Sequence, residues 1–416
     1  MFSSGCRQSK NGMTAGEDIA MIRAAIKNVL LLASLGGWLG VAQAAAEPEL
    51  AAEVSDVATL PPNPPHRFFT GGFRLQSFAI FDADTGKMEG SIPAGYVSNL
   101  AIAPDNSRFY VSETYWTHGA RGNRQDLVSI YDARTLNLVK EISLPGRALV
   151  EKMQNFDINA SGSRAYVYIM MPVASVVWVD LKGQAVGGTV EIPGCALVFP
   201  WGDGGFSSLC GDGSLATVTI PASGPAKVTH TKPFFDANSD PIFENSFADR
   251  ATGKAIFISY TGLVYEAQLG ADTKVSEPWS IQKAAGYAPA GTGVQELAWR
   301  PGGDQLAAYH KTSGKLFVLM HPGNYWTHKH GGTEIWVLDT KTHALVSRFP
   351  LRPVPSSGLG WDQVPYYASI GVSQDAKPLL YLLNPEGDDV VLDATTGTEL
   401  RKIEFAAGDW VSVPGY

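Results

Sequence analysis

Seven times along the chain a β-rich run ends on an acidic or polar residue and then breaks into a turn, often one carrying Thr or Gly. The instances are Ile80-Phe81-Asp82-Ala83-Asp84-Thr85-Gly86, Ile130-Tyr131-Asp132-Ala133-Arg134-Thr135 and Trp178-Val179-Asp180-Leu181-Lys182-Gly183. Val218-Thr219-Ile220, Tyr265-Glu266-Ala267-Gln268-Leu269, Val337-Leu338-Asp339-Thr340-Lys341-Thr342 and Val391-Leu392-Asp393-Ala394-Thr395-Thr396-Gly397 follow. Positions 82, 132, 180, 219, 268, 339 and 393 are spaced by 50, 48, 39, 49, 71 and 54 residues. A second phrase precedes several copies. Leu100-Ala101-Ile102-Ala103-Pro104-Asp105 leads into Phe109-Tyr110-Val111, and Phe156 to Gly162 leads into Ala165-Tyr166-Val167-Tyr168. Leu297 to Gly302 and Ile370 to Asp375 repeat the pattern.

Each unit therefore reads as four strands joined by turns. Four-stranded units at this period predict an all-β, seven-bladed β-propeller of antiparallel blades, a ring that protects its sheet edges. The 44 Gly and 26 Pro supply the turns such a chain needs. Trp410–Val413 is expected to close the ring on blade one. The 71-residue interval is too long for one blade, and Met320–Gly332 is where the excess is expected. Val354–Tyr367 reads as a second expansion.

The N-terminus sets the compartment. Arg23 and Lys27 precede an apolar stretch of 14 residues, Val29 to Ala42, and Ala42-Gln43-Ala44 places small residues at a cleavage site. A spanning helix needs roughly 20 apolar residues, so residues 1–44 read as a cleaved signal peptide, with 1–20 a polar preface to a candidate start at Met21. Residues 45–65, Pro- and Ala-rich, read as an N-terminal arm, and 66–416 as the propeller. The mature chain keeps 28 basic and 38 acidic residues with no Lys/Arg block, which argues against nucleic acid as a partner.

Of three cysteines, Cys6 leaves with the signal, and Cys195 and Cys210 remain as a pair in an oxidising compartment. Two apolar runs flank Trp201-Gly202-Asp203-Gly204-Gly205 between them. If residues 199 and 206 pair across that turn, antiparallel register also sets 195 opposite 210. A cross-strand disulfide there would contribute roughly 3 kcal/mol.

Reactive constellations are missing from the sequence. It has no H-E-x-x-H, no C-x-x-C-H and no G-x-S-x-G. Gly202 to Gly205 sits in the hairpin turn and opens no helix, so it is no phosphate loop. The Asp-x-x-Thr-Gly phrases are similar to those of propellers that bind pyrroloquinoline quinone, but the docking Trp is missing after both Gly86 and Gly397. His321, His328 and His330 could ligate a metal. Beside Tyr325 and Trp326, however, Trp326, His328 and Lys329 read better as partner contacts. Arg121-Gly122-Asn123-Arg124-Gln125-Asp126 is either a surface loop with an Arg–Asp ion pair or a second docking loop, with Arg121, Arg124 and Asp126 the residues concerned.

At this point the residues suggest a family. The chain resembles the heavy (β) subunit of the tryptophan tryptophylquinone amine dehydrogenases, the aromatic (aralkylamine) type more than the methylamine type. The similarity spans roughly Phe69 to Phe405. It is carried by Glu141-Ile142-Ser143-Leu144-Pro145, Cys195 with Cys210-Gly211-Asp212-Gly213, Asp240-Pro241-Ile242-Phe243, Gly262-Leu263-Val264-Tyr265 and Pro278-Trp279-Ser280. Most specific is Met320-His321-Pro322 through Thr327-His328-Lys329 and Glu334-Ile335-Trp336-Val337 to Asp339-Thr340-Lys341-Thr342.

The resemblance implies a seven-bladed propeller in a periplasmic α2β2 assembly. The tryptophan tryptophylquinone and the catalytic residues would lie on a separate light subunit, leaving no catalytic residue, cofactor or metal on this chain. Such a holoenzyme oxidises a primary amine to an aldehyde and ammonia and passes electrons to a blue copper protein of the azurin or amicyanin kind. The family places a Phe at the substrate channel, and Ile92-Pro93-Ala94-Gly95-Tyr96-Val97 aligns there, so Tyr96 takes that position with an added hydroxyl that needs a partner. The competing reading is a stand-alone scaffold or binding propeller of the periplasm.

Overall fold

The computed structural model describes residues 59–72, 76–148, 152–353, 367–384, 387–404 and 408–415, all within one compact unit, Val54–Tyr416. Residues 1–44, read above as a signal peptide, residues 45–58 of the expected arm and 354–366 of the expected second expansion lie outside them. The described strands form seven antiparallel sheets. Blade 1 joins Arg67–Gly71, Ser77–Asp82 and Lys87–Pro93 to Trp410–Ser412, and blade 2 holds Tyr96–Ile102, Arg108–His118, Arg121–Asp132 and Leu138–Ser143. Blade 3 is Phe156–Ile158, Arg164–Ile169, Ser175–Asp180 and Ala185–Glu191, and blade 4 is Cys195–Trp201, Gly205–Cys210, Leu215–Thr219 and Lys227–His230. Blade 5 runs through Phe247–Ala248, Lys254–Ile258 and Leu263–Gln268, with Lys274–Val275 and Trp279–Ser280 sharing its outer edge. In blade 6, Ala298–Pro301 and Ala307–His310 both pair with Lys315–Gly323, followed by Glu334–Asp339 and Ala344–Pro350. Blade 7 is Ser369–Val372, Leu379–Leu383, Asp389–Asp393 and Glu399–Ile403.

The repeated phrase has one structural meaning. All seven positions, 82, 132, 180, 219, 268, 339 and 393, end the third strand of their blades. In the five copies with Asp, the carboxylate accepts the backbone N–H two residues on and the N–H or hydroxyl three residues on. This is the Asx turn that makes Asp a turn residue. Four residues after each Asp the backbone turns left-handed, at Gly86, Leu136, Gln184, His343 and Gly397. The same five blades carry a register shift just before the Asp. Where Thr219 and Gln268 replace Asp, neither feature recurs.

Packing follows the ring. Each seam between neighbouring blades buries one apolar cluster, such as Phe69, Phe109 and Tyr131 between blades 1 and 2 or Phe199, Phe257 and Tyr265 between blades 4 and 5. Leu60 of the arm is buried in the blade 1–2 cluster, and its N–H reaches the Arg134 carbonyl at 2.8 Å. Burying such a side chain is worth about 2 kcal/mol, so this end of the arm is anchored. The seam between blades 7 and 1 contains Phe68 stacked on Tyr381 with centroids 4.5 Å apart. Ring closure follows the expectation: Phe69 pairs with Ser412, Thr70 with Val411 and Gly71 with Trp410.

Two expectations need correcting. Cys195 does pair with Cys210 and is disulfide-bonded to it. However, Phe199 lies opposite Ser207, not residue 206, because a register shift falls between Ala196 and Phe199. Leu197 takes a left-handed φ of 69° there, so a bulge absorbs the extra residue. The excess in the long interval is also divided. Met320–Gly323 remains strand, 324–333 is loop, and a further stretch between blades 5 and 6 holds the short helix Ile281–Ala284. Ser280 caps that helix by accepting the Lys283 N–H. Among the described residues no helix is long and apolar enough to cross a membrane.

Candidate functional site

Strands of an antiparallel blade alternate in direction. The blade-to-blade connectors and the loops from second to third strand therefore share one end of the propeller, opposite the Asp turns. Tyr96, the 118–121 hairpin and the 324–333 loop all belong to that end.

Tyr96 opens the first strand of blade 2, half-buried, with Thr114 as its Cα partner. The connector before it is only Ala94 and Gly95. A Cβ on Gly95 would stand 2.3 Å from the Thr114 carbonyl oxygen, so glycine is required by close approach. The Gly95 N–H donates to Glu113 Oε2 at 2.7 Å, and Ala94 N–H to the Gln76 carbonyl at 2.9 Å. Glu113 is buried, and it also accepts the Tyr115 hydroxyl at 2.9 Å and the Ser129 hydroxyl. Burial pushes its carboxyl up to about 7, against the pull of those three donors.

The second predicted loop turns largely inward. Arg124 grips Asp126 through Nε to Oδ2 at 2.8 Å and Nη2 to Oδ1 at 2.6 Å, over the Trp116 ring. Asp126 is buried and also takes the Thr114 hydroxyl at 2.8 Å, while Arg124 donates to the Ala148 carbonyl at 2.7 Å. The pair thus fastens the connector to blade 3, much as Glu113 fastens the connector from blade 1. Of the three residues, Arg121 at the hairpin tip is the exposed one.

In the 324–333 loop Trp326 is 62% exposed, which leaves a large apolar ring for contact. Its neighbour Tyr325 is buried, its hydroxyl donating to the Ser239 carbonyl. His328 stacks on Tyr260 with centroids 4.2 Å apart. Lys329 reaches Glu244 Oε1 at 2.8 Å, and Lys152 reaches the same oxygen at 2.6 Å. Burial opposes ionisation of Glu244, but Lys329 and Lys152 outweigh it and hold the carboxyl down at about 2. His321, His328 and His330 do not converge on a point. His321 is buried and bonded to the Thr327 hydroxyl at 2.8 Å, and burial pushes its imidazole down to about 4. Among the described residues, Cys195, Cys210 and His230 alone form a group close enough to share an ion, and both sulfurs are already in the disulfide.

Beneath these loops a cavity of about 140 Å³ occupies the ring axis, lined by first strands of several blades. Across it Arg250 of blade 5 donates to Asp157 of blade 3 at 2.9 Å and to the Ile102 carbonyl of blade 2 at 2.9 Å. Sequence reasoning missed Glu113, Glu244, Lys152 and this pair. A signal existed for Glu113, which shares its strand face with Phe109 and Val111 and so puts an acid on the apolar side.

The chain matches the family model described as methylamine dehydrogenase heavy chain over residues 64–412. It is 32% identical over 334 residues to the methylamine dehydrogenase heavy chain of Paracoccus versutus, covering 79% of this chain and 73% of that one. To the methylamine dehydrogenase heavy chain of Methylorubrum extorquens it is 30% identical over 343 residues, covering 81% and 78%. That of Methylophilus methylotrophus is 27% identical over 415 residues, covering 94% and 96%. Among solved structures, the dihydro-heme d1 dehydrogenase NirN superposes with a TM-score of 0.54 at 14% identity, covering 89% of this chain and 80% of that one. The propeller domain of Swd1 from Myceliophteria thermophila gives 0.52 at 9% identity, covering 81% and 96%. These structural likenesses are of fold alone.

Proposed function

Because the chain belongs to the methylamine dehydrogenase heavy chain family, we propose that it is the heavy subunit of a periplasmic quinoprotein amine dehydrogenase. In this reading it pairs with a light subunit in an α2β2 assembly. The holoenzyme oxidises primary amines to aldehydes and ammonia and delivers electrons to a blue copper protein of the azurin or amicyanin type. The family match across 64–412, which takes in strands of all seven blades, carries the proposal. The tryptophan tryptophylquinone on the light subunit supplies the two-electron acceptor for the amine.

The part left to this chain is recognition and support. Tyr96 presents a ring with a polar tip at the channel mouth, which suits an aryl-alkyl amine. Arg121, Trp326 and Lys329 offer charge and apolar area to the light subunit, while Arg124, Asp126 and His328 hold the loops beneath them. A second reading, methylamine as substrate, is favoured by the names of the relatives at 27–32% identity.

The test is to purify the chain from cells grown on an amine and titrate it with phenylethylamine and methylamine. A co-purifying small chain with quinone absorbance bleached preferentially by phenylethylamine supports the full reading. Preferential bleaching by methylamine supports the second. A lone, colourless chain that neither amine perturbs leaves a stand-alone propeller.

A further inference from the structure

Glu113 belongs to no reacting group, yet it is 1% exposed and sits under the turn that places Tyr96. Its strand, Arg108–His118, directs Phe109, Val111 and Glu113 toward blade 1, and the first two join the apolar cluster of that seam. At the top of the seam an ionisable group takes the place of a hydrocarbon. One carboxylate oxygen holds both the Gly95 N–H and the Tyr115 hydroxyl; the other holds the Ser129 hydroxyl. The Tyr131 hydroxyl donates at 3.2 Å to the carbonyl of Pro93, the last strand residue before that connector. The connector passes close enough to the next strand that a side chain at Gly95 would strike the Thr114 carbonyl.

We propose that Glu113 is a positioning residue for the substrate channel, its carboxylate fixing the Gly95 N–H and thereby the place where the Tyr96 ring stands. The channel role rests on the function proposed above; the grip on Gly95 does not. None of the hydrogen bonds to Glu113 comes from a basic side chain. The titratable groups around it are Tyr115 on its own strand and Tyr131 and Glu141 on the next two strands of blade 2. With burial raising its carboxyl to about 7, the grip is set by protonation near neutral pH. The ionised group accepts all three donors, whereas the protonated group carries a donor of its own and competes with them.

The test has two arms. In the first, amide hydrogen exchange is followed at Gly95 in the full chain, wild type and Glu113→Gln, corrected for the intrinsic pH dependence of exchange. Wild-type protection at Gly95 should rise about tenfold between pH 6 and 8, and Glu113→Gln should abolish that rise while Ala148 is unaffected. A flat wild-type profile overturns the proposal without needing any variant to fold. In the second arm, the holoenzyme carrying Glu113→Gln should show KM for phenylethylamine raised at least fivefold at pH 8, with kcat within twofold and the wild-type inflection of KM near pH 7 removed. If Gly95 protection responds but KM and its pH profile do not move, the channel role is overturned. Should wild-type protein oxidise no amine, the function proposed above fails, and the exchange arm still judges the grip of Glu113 on Gly95.

Discussion

Gln305 lies against Val411 as one peptide lies against another. Its Nε2 donates to the Val411 carbonyl at 3.1 Å and its Oε1 accepts the Val411 N–H at 2.8 Å. A side chain of blade 6 therefore holds the inner face of the strand that completes blade 1, two positions round the ring. Replacing it by Ala strands a backbone donor and acceptor at the ring axis. Gln305→Ala should lower stability by about 2 kcal/mol, with exchange of the 410–412 amides accelerating before those of other blades in denaturant titrations followed by mass spectrometry. Uniform acceleration across the blades would contradict a local role.

The disulfide joins the start of the first strand of blade 4 to the end of its second strand, at the same end of the ring as Tyr96 but two blades away from it. Cys195→Ser should cost roughly 3 kcal/mol in the chain-entropy picture, seen as a lower melting temperature. Amine turnover per assembled holoenzyme should stay unchanged. Loss of turnover with quinone and assembly intact would assign the pair a different role.

Glu113 makes a pH prediction with a definite sign. Its carboxyl stands at about 7 in the folded chain against an ordinary 4.5, so between those values the folded state binds more protons than the unfolded one. Stability from this group is fully present below pH 4.5 and is lost as pH rises toward 7. The full span corresponds to about 3 kcal/mol. Glu113→Gln cannot ionise, so its denaturation midpoint should fall less steeply over that range in urea titrations. Parallel wild-type and variant curves would show that Glu113 does not titrate there.

Tyr96→Ala should leave quinone absorbance of the holoenzyme intact while raising KM for phenylethylamine several-fold and changing KM for methylamine little. Tyr96→Phe separates ring from hydroxyl, since it removes only the polar tip. An unchanged amine profile in both variants removes Tyr96 from the channel.

How far the sequence carried depended on whether an interaction was local. The Asp turns were legible because each is made within four residues, so five of the seven copies repeat both the letters and the geometry. Cys195 and Cys210 were legible for a similar reason, being the two ends of one hairpin. The bulge at Leu197 was not, because nothing in Ala196-Leu197-Val198 marks where an extra residue enters. Glu244 and Lys152 were not legible either, since their ion pair joins positions 92 residues apart. The six-residue word around Tyr96 gave its place on the chain, but not the carboxylate beneath it, which arrives from the next strand.

The closing strand has a consequence for biogenesis. Residues 410–412 are made about 340 residues after Arg67–Gly71, the early blade strand with which they pair. Until residues 410–412 have been made, that early strand keeps one side open, an adhesive edge of the kind that seeds aggregation. A prematurely terminated product would carry six formed blades and a permanent gap, so the order of synthesis itself makes incomplete copies conspicuous to whatever proteases and chaperones patrol unpaired β edges.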